Sequence, residues 1–382
     1  MKITDVKLYP VKVPVRLIKD GGIAPYAGSK DPPGKGTTHI TSCIYRIDTD
    51  EGLSGWGEMN AIISQGLTKS LLDDYLKPKL VGKDPFEHGK IMKAFDNLYN
   101  PDVNTKHFAS AVEMALWDLM GKACGKPVCD LLGGPVREEV PIAYAMGIMP
   151  LEVTKEKIRQ VKEEGFTAIK TKGGLDVRFD IERTRLIRDL GGFDLSLRVD
   201  MDQGYQLPEA LCYCKGVDDC ELQYVEQPLP ANRLWDYASL RGRTSVPIAI
   251  NEDCYIPGNL AAAVKIGAVD AAVADLESSG GVSELVKLGH YAELAGLAVA
   301  HHCAWDLGLK LAAILQCVST LGAFSLPMDS TYTAHDGDIL AEPIRAENGC
   351  YRVPKKPGLG VDVDEKKVQF YAHIDPKAYF VF

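Results

Sequence analysis

From Val140 onward, short apolar runs alternate with amphipathic stretches of helical length. PIAYAM, FTAIKTK, LSLRVDMD, LQYVEQP, VPIAINE, DAAVAD, LAVAHH and AFSLPMD read as eight strands, mostly apolar, as parallel strands buried on both faces should be. Stretches such as LEVTKEKIRQVKEEG and LPEALCYCKG carry helical periodicity, and seven helices fit between the eight strands. After Asp329 the chain reads as loop and short extended pieces, with PKKPGLGVDVD as a turn-rich return and no eighth helix. The alternation predicts a parallel α/β barrel.

Residues 1 to about 130 follow a different pattern. VKLYPVKVPV, HITSCIYRIDTD and LSGWGEMN are strand-like, with DTDEG as a turn between the second and third. HFASAVEMALWDLMGKACG then sets Ala111, Ala115, Leu116 and Leu119 at helical spacing and ends at Gly125. Strands followed by helices predict a smaller α+β domain. Between its first two strands, residues 18 to 39 form a polar stretch rich in Gly and Pro, too long for a simple turn, which is read as a functional cover.

Composition narrows the class. A chain of 382 residues, 46% of them hydrophobic, can bury a large core, and its formal charge of -9 is spread without a cationic face for nucleic acid or anionic lipid. Ten cysteines lack CxxC spacing and are read as reduced thiols of a cytoplasmic protein; Cys212 and Cys214, two apart on a helix, should face different ways. The opening MKITDVKLYP has no signal-peptide core, and no apolar run reaches membrane-spanning length.

The candidate chemistry lies at the strand ends. Lys172, Asp200, Glu226, Glu252, Asp275, His302 and Asp329 follow one another at intervals of 23 to 28 residues, about one strand, one helix and two loops, so one rim of the barrel would carry them all. Lys170 and Lys172, two apart on a strand, should both point into the barrel. An isolated KxK is normally a solvated pair, but here the next three strands each end in an acid. Asp200, Glu226 and Glu252 offer the oxygen ligands that suit Mg²⁺, against the plainer role of helix N-caps, and Asn251 competes with Glu252 for the third place. Asp202 is read equally as a cap or a functional acid. Asp275 and His302 end adjacent strands, as a carboxylate and a histidine base would, with His301 as the competitor if the strand phase slips by one. Asp329 is read as binding a substrate hydroxyl, acting as an acid, or beginning a turn.

Over nearly its whole length the chain resembles the mandelate racemase and muconate lactonizing branch of the enolase superfamily. The resemblance is carried by AVEMALWDLMGKACGKPVCDLLGG, IKTKGG, VDMDQ, YVEQPL, PIAINED, ADLESSGG, AHHC and KPGLGV, in that order. It implies a (β/α)7β TIM-like barrel with an N-terminal α+β capping domain: residues 1–130 for the cap, completed by about 340–382, and 131–339 for the barrel. It also implies Mg²⁺-dependent abstraction of a proton beside a carboxylate by Lys or His bases, the known pattern of this superfamily. Carried over by motif, Asp200, Glu226 and Glu252 are metal ligands, Lys172 is one base, and the His302–Asp275 dyad serves the opposite face. Lys170 would hold the substrate carboxylate and lower the proton affinity of Lys172, and Asp202 and Asp329 would contact substrate.

Departures matter. Relatives with two opposed lysines place the second three residues after the Asp275 position, where this chain has Ser278, so histidine is expected as the second base. Mandelate racemase has an asparagine where Asp202 stands and a glutamate near the eighth strand's end, where this chain offers Asp329; glucarate dehydratase uses an asparagine at the Asn251 position as its third ligand. The resemblance favours dehydration of a sugar acid to a 2-keto-3-deoxy acid, and Tyr26, Lys30, Lys35 and His39 in the cover fit a hydroxylated or doubly anionic substrate. The alternatives are a racemase or epimerase of a hydroxy acid, a sugar-lactone cycloisomerase, or a catalytically inactive structural relative. A homo-oligomer, dimer or octamer, is expected.

Overall fold

The computed structural model describes residues 1–15, 39–60, 70–96, 106–256 and 258–372. The stretch read as a cover lies outside the described residues except for His39, which is exposed at the start of a strand.

The N-terminal unit is an antiparallel meander of β1 (Ile3–Pro14), β2 (His39–Thr49) and β3 (Ser54–Met59). Short helical turns and two longer helices follow, the longer ones being α1 (His88–Asp96) and α2 (Lys106–Cys124), and α2 lies across β3. Its small residues explain the closeness: a Cβ added at Gly57 would sit 1.9 Å from the Ala111 carbonyl oxygen. Helix and sheet backbones touch there because neither side has bulk to hold them apart.

The barrel strands are β4 (Glu139–Met146), β5 (Ala168–Lys172), β6 (Ser196–Asp200), β7 (Tyr224–Glu226), β8 (Ile248–Ile250), β9 (Ala271–Ala274), β10 (Ala298–His301) and β11 (Met328–Ser330). They pair in parallel in chain order from β4 to β10, and β11 returns to pair with β4. Between β10 and β11 no ladder forms among the described residues; two backbone hydrogen bonds, Val299 N–H to the Ala323 carbonyl and Leu326 N–H to the Val299 carbonyl, join β10 to the segment just before β11. Helices α3 (Leu151–Glu163), α4 (Val177–Gly191), α5 (Leu207–Gly216), α6 (Leu234–Arg241), α7 (Asn259–Lys265), α8 (Leu276–Ser279) with α9 (Val282–Leu294), and α10 (Gly308–Val318) fill the seven connections. After β11 comes only a short turn of 3₁₀ helix, Tyr332–Ala334, and then a hairpin of β12 (Ala346–Glu347) and β13 (Cys350–Arg352) that pairs antiparallel with β4. The architecture is a (β/α)7β barrel with an N-terminal cap.

Two apolar clusters separate the faces of the strands. The large one, shared with the helices, takes Ile169, Leu197, Val199, Val225, Ile248, Ile250, Ala272, Ala274 and Val299. The small one, inside the barrel, takes Tyr224, Ala249, Ala271, Val273 and Ala300. Side chains alternate along a strand, so Lys170, Lys172, Arg198, Asp200, Glu226, Asp275 and His302 continue the interior set.

The last described helix, α11 (Glu365–Tyr371), packs on β1; Glu365 pairs with Arg46 of β2 at 2.7 Å. No helix among the described residues is long and apolar enough to cross a membrane. All ten cysteines are free, with Cys212 exposed and Cys214 buried.

Candidate active site

Ala145, Met146, Lys170, Lys172, His302, Cys303 and Asp329 line a cavity at the carboxyl ends of the strands. Lys170 and Lys172 enter it from β5, whose end is pinned from outside by the buried Arg183 of α4, which donates to the carbonyls of Lys172 and Gly147. Helical spacing puts Arg183 on the buried face of α4 with Asp180, Thr184 and Ile187, yet nothing in the sequence shows that it reaches two strand ends.

The two lysines are clamped by acids. Lys170 Nζ lies 2.8 Å from Glu226, 2.8 Å from Asp329 and 3.0 Å from Asp200; Lys172 Nζ lies 2.8 Å from Asp200 and 2.6 Å from Asp202. Burial disfavours the Lys170 ammonium, but Asp200, Asp329 and Glu226 together raise its proton affinity well above that of a free lysine. Lys170 is therefore a fixed cation. Burial also works against an ionised Asp200, and here Lys170 and Lys172 win, holding its carboxyl well below the usual range. Glu226 goes the other way, because burial and repulsion from Asp200 outweigh the lysines.

Glu252 opens a turn of 3₁₀ helix after β8. Its Oε1 accepts from Gln203 Nε2 at 2.7 Å, while burial and the nearby Asp200 push its carboxyl up to about 7. Asn251 is otherwise engaged: its amide donates to the Val273 carbonyl at 2.9 Å and to the Tyr255 hydroxyl at 2.5 Å. Asp253 faces away, accepting from Gln227, Asn232 and Asn259. Asp202 and Gln203 both hold positive φ, 45° and 64°, in the loop that carries them to Lys172 and Glu252.

His302 points into the cavity and His301 does not. The His301 ring is buried towards Phe324 of the outer layer, and its Nε2 accepts the Leu276 N–H at 3.1 Å; burial lowers its proton affinity to a pKa of about 4. His302 Nδ1 lies 3.9 Å from Asp275 Oδ2, within ion-pair range but beyond a hydrogen bond. Burial would raise the Asp275 carboxyl, but His302, Lys310 and His301 hold it well below the ordinary range.

Asp329, read in sequence as a substrate contact, an acid or the start of a turn, is held between two cations. It is buried, with Oδ1 2.6 Å from Arg198 Nη2 and Oδ2 2.8 Å from Lys170. Pro327 just before β11 gives its carbonyl to the same guanidinium at 2.6 Å. Arg198, two residues before Asp200 and on the same face of β6, was missed because only the fold shows that β6 and β11 meet across the barrel interior.

Ligand-capable atoms of Asp200, Glu226 and His302 lie within 4.8 Å of one another, whereas Glu252 stands outside that tight cluster. The acids nevertheless suit a hard divalent cation. Glu226 Oε2 and Glu252 Oε2 are both buried without a hydrogen-bond partner, and the five carboxylates of Asp200, Asp202, Glu226, Glu252 and Asp329 face three basic side chains, Lys170, Lys172 and Arg198.

A capped barrel whose strand-end rim joins paired lysines, a ring of acids and a histidine defines an enzyme of the enolase type. The chain belongs to the mandelate racemase and muconate lactonizing enzyme family: residues 35–133 match the Mandelate racemase / muconate lactonizing enzyme N-terminal domain, and residues 153–367 match the Enolase C-terminal domain-like family. It is 28% identical over 384 residues to an N-succinyl-L-Arg/Lys racemase of Bacillus cereus, covering 97% of each chain. It is also 29% identical over 335 residues to an arabinonate dehydratase of Saccharolobus solfataricus, covering 85% of this chain and 89% of that one. Among solved structures, an isomerase from Streptomyces coelicolor superposes with a TM-score of 0.81 at 31% identity, covering 97% of both chains.

Proposed function

We propose that this chain catalyses Mg²⁺-dependent removal of the α-proton of a small carboxylate, and that the reaction is dehydration of a sugar acid to a 2-keto-3-deoxy acid. The observation that carries the reading is the convergence of Lys172 and His302 on one cavity beside Asp200 and Glu226. Asp200, Glu226 and Glu252 would hold the cation, with Gln203 orienting Glu252. Mg²⁺ bound there supplies Lewis-acid stabilisation for charge developing on the substrate carboxylate.

The remaining roles belong to the chain. Lys170, kept protonated by its three acids, binds the substrate carboxylate as a fixed charge. Lys172, oriented by Asp202, takes the α-proton from one face as a neutral amine. His302, as imidazolium, delivers a proton to the departing β-hydroxyl, and Asp275 holds its ring. Asp329 anchors Lys170 and lines the cavity that would receive the substrate. The arabinonate dehydratase relative supports this reaction, and Ser278 at the place of a second lysine directs the second role to His302. The ten free thiols support a reducing, cytoplasmic setting.

The test is a panel of aldonic and aldaric acids incubated with enzyme and Mg²⁺, with 2-keto acid trapped by semicarbazide. Product that EDTA abolishes and Mg²⁺ restores is the expected result. A second reading, racemisation or epimerisation, is favoured by the same two bases and by the racemase relative matched over 97% of this chain. Exchange of the α-hydrogen in D₂O without loss of water, across the whole panel, would establish that reading instead.

A further inference from the structure

Behind the His302–Asp275 pair lies a second charged cluster, and it spans the cap and the barrel. Asp275 is the N-cap of α8, its Oδ1 accepting the Ser278 N–H at 2.6 Å. Two residues on, the buried Glu277 carboxylate accepts from Lys310 Nζ at 2.6 Å and from the Asn60 N–H at 3.1 Å, and it meets His107 Nδ1 at 2.7 Å. Asn60 and His107 belong to the cap; Lys310 comes from α10 and also pairs with Asp306 at 2.7 Å. The segment docks on the cap a second time just beyond. Gly281, at φ +119°, brings the backbone so near α2 that an added Cβ would lie 2.0 Å from Glu113 Oε2, and Ser283 N–H donates to that same oxygen at 3.2 Å.

A four-residue helix has little stiffness of its own, so the place of its cap residue follows from whatever the helix is tied to. The ties of α8 run both ways: His301 and Lys310 hold it to the barrel, and Asn60 and His107 hold it to the cap. Asp275 Oδ2 makes no hydrogen bond of its own, so its distance from His302 answers to small shifts of the segment.

We propose that Glu277 is a positioning residue: by tying α8 to Asn60 and His107, it makes the docking of the cap set the separation of Asp275 from His302. The inference rests on the reading that His302 serves one face of the substrate. Lys172, on β5, is outside these ties, so its face of the substrate is an internal control.

Hydrogen exchange in D₂O, followed by NMR on Mg²⁺-loaded enzyme, tests this with two pairs of C2 epimers, D-arabinonate with D-ribonate and D-galactonate with D-talonate, or with the active acid of the panel above and its C2 epimer. The variants Lys172→Ala and His302→Asn identify which epimer exchanges through which group. Glu277→Gln should slow exchange through His302 by roughly tenfold or more, as a sub-ångström misplacement does, and leave exchange through Lys172 within about twofold. His107→Gln, which leaves the barrel chain untouched, should slow the same face in smaller measure and decides the matter if Glu277→Gln does not fold. Equal slowing on both faces, or none on either, overturns the proposal. Wild-type enzyme that exchanges no acid on either face overturns the functional reading beneath it.

Discussion

Asp329 carries its charge between two cations, and that fixes what it can do. Burial alone would raise its carboxyl, but Arg198 and Lys170 hold it below the ordinary range, so it stays ionised and accepts bonds rather than donating a proton. Removing one partner of a buried pair strands the other: Arg198→Met should cost about 3–5 kcal/mol in urea unfolding. Replacing His302 by Asn should reduce dehydration by about 10²–10⁴-fold while exchange through Lys172 persists, measured as 2-keto acid formation against α-deuteration. Full dehydration by that variant would remove His302 from its role. At this scale the inward side chains were legible in sequence, because Lys170 and Lys172, or Ala300 and His302, follow the alternation of a strand whose buried residues are plain. Arg198 and Gln203 were not legible. Their partners, Asp329 and Glu252, lie 131 and 49 residues away, and neither periodicity nor motif spacing encodes which strands face each other across a barrel.

Among the elements, the apolar runs found the strands but overstated them. LQYVEQP and VPIAINE hold only three ladder residues each, Tyr224–Glu226 and Ile248–Ile250, and AFSLPMD yields Met328–Ser330, starting just after Pro327. Proline cannot donate to a ladder, which accounts for the late start of β11. The polar residues consequently fall at different depths, Asp200 within its strand and Glu252 two residues past its own. A small-residue helix face was visible in Ala111 and Ala115, but its partner was not, since the glycines of β3 lie more than fifty residues earlier. Gly57→Ala should therefore push α2 off β3 at a cost of about 1–3 kcal/mol, seen as a lower urea midpoint, whereas the same change at the exposed Gly89 of α1, where an added Cβ meets open space, should cost less.

At the scale of the whole molecule, cap and barrel meet through buried ionisable groups. Glu58 of β3 accepts the backbone N–H groups of Leu307 and Lys310 at 2.8 and 2.9 Å at the start of α10. Burial, only partly offset by Lys310, pushes its carboxyl up to about 8 from an ordinary 4.5. The folded state thus holds this proton more tightly than the unfolded chain between those two values, so the group's contribution to stability is full at the acid end and declines as pH rises through the window. Glu58→Gln, which cannot ionise, should lose less stability than wild type between about pH 5 and about pH 8, by on the order of 3 kcal/mol in urea titrations. An unchanged slope would mean that the two backbone donors and Lys310 keep Glu58 ionised throughout.

The joint between β10 and β11 gives the barrel a weakest place. Elsewhere around the ring neighbouring strands are laced by ladders, but here, among the described residues, two hydrogen bonds from Val299 to the segment leading into β11 close the circle. Native-state amide exchange should release Val299 and Leu326 before Val199 and Val225, because local opening there breaks the fewest bonds. His302 and Asp329 stand on either side of that joint, so the last two rungs of the rim meet where the fewest backbone bonds hold them, and the buried pairs of Asp329 with Arg198 of β6 and Lys170 of β5 lace the eighth strand across the interior where a ladder to β10 does not.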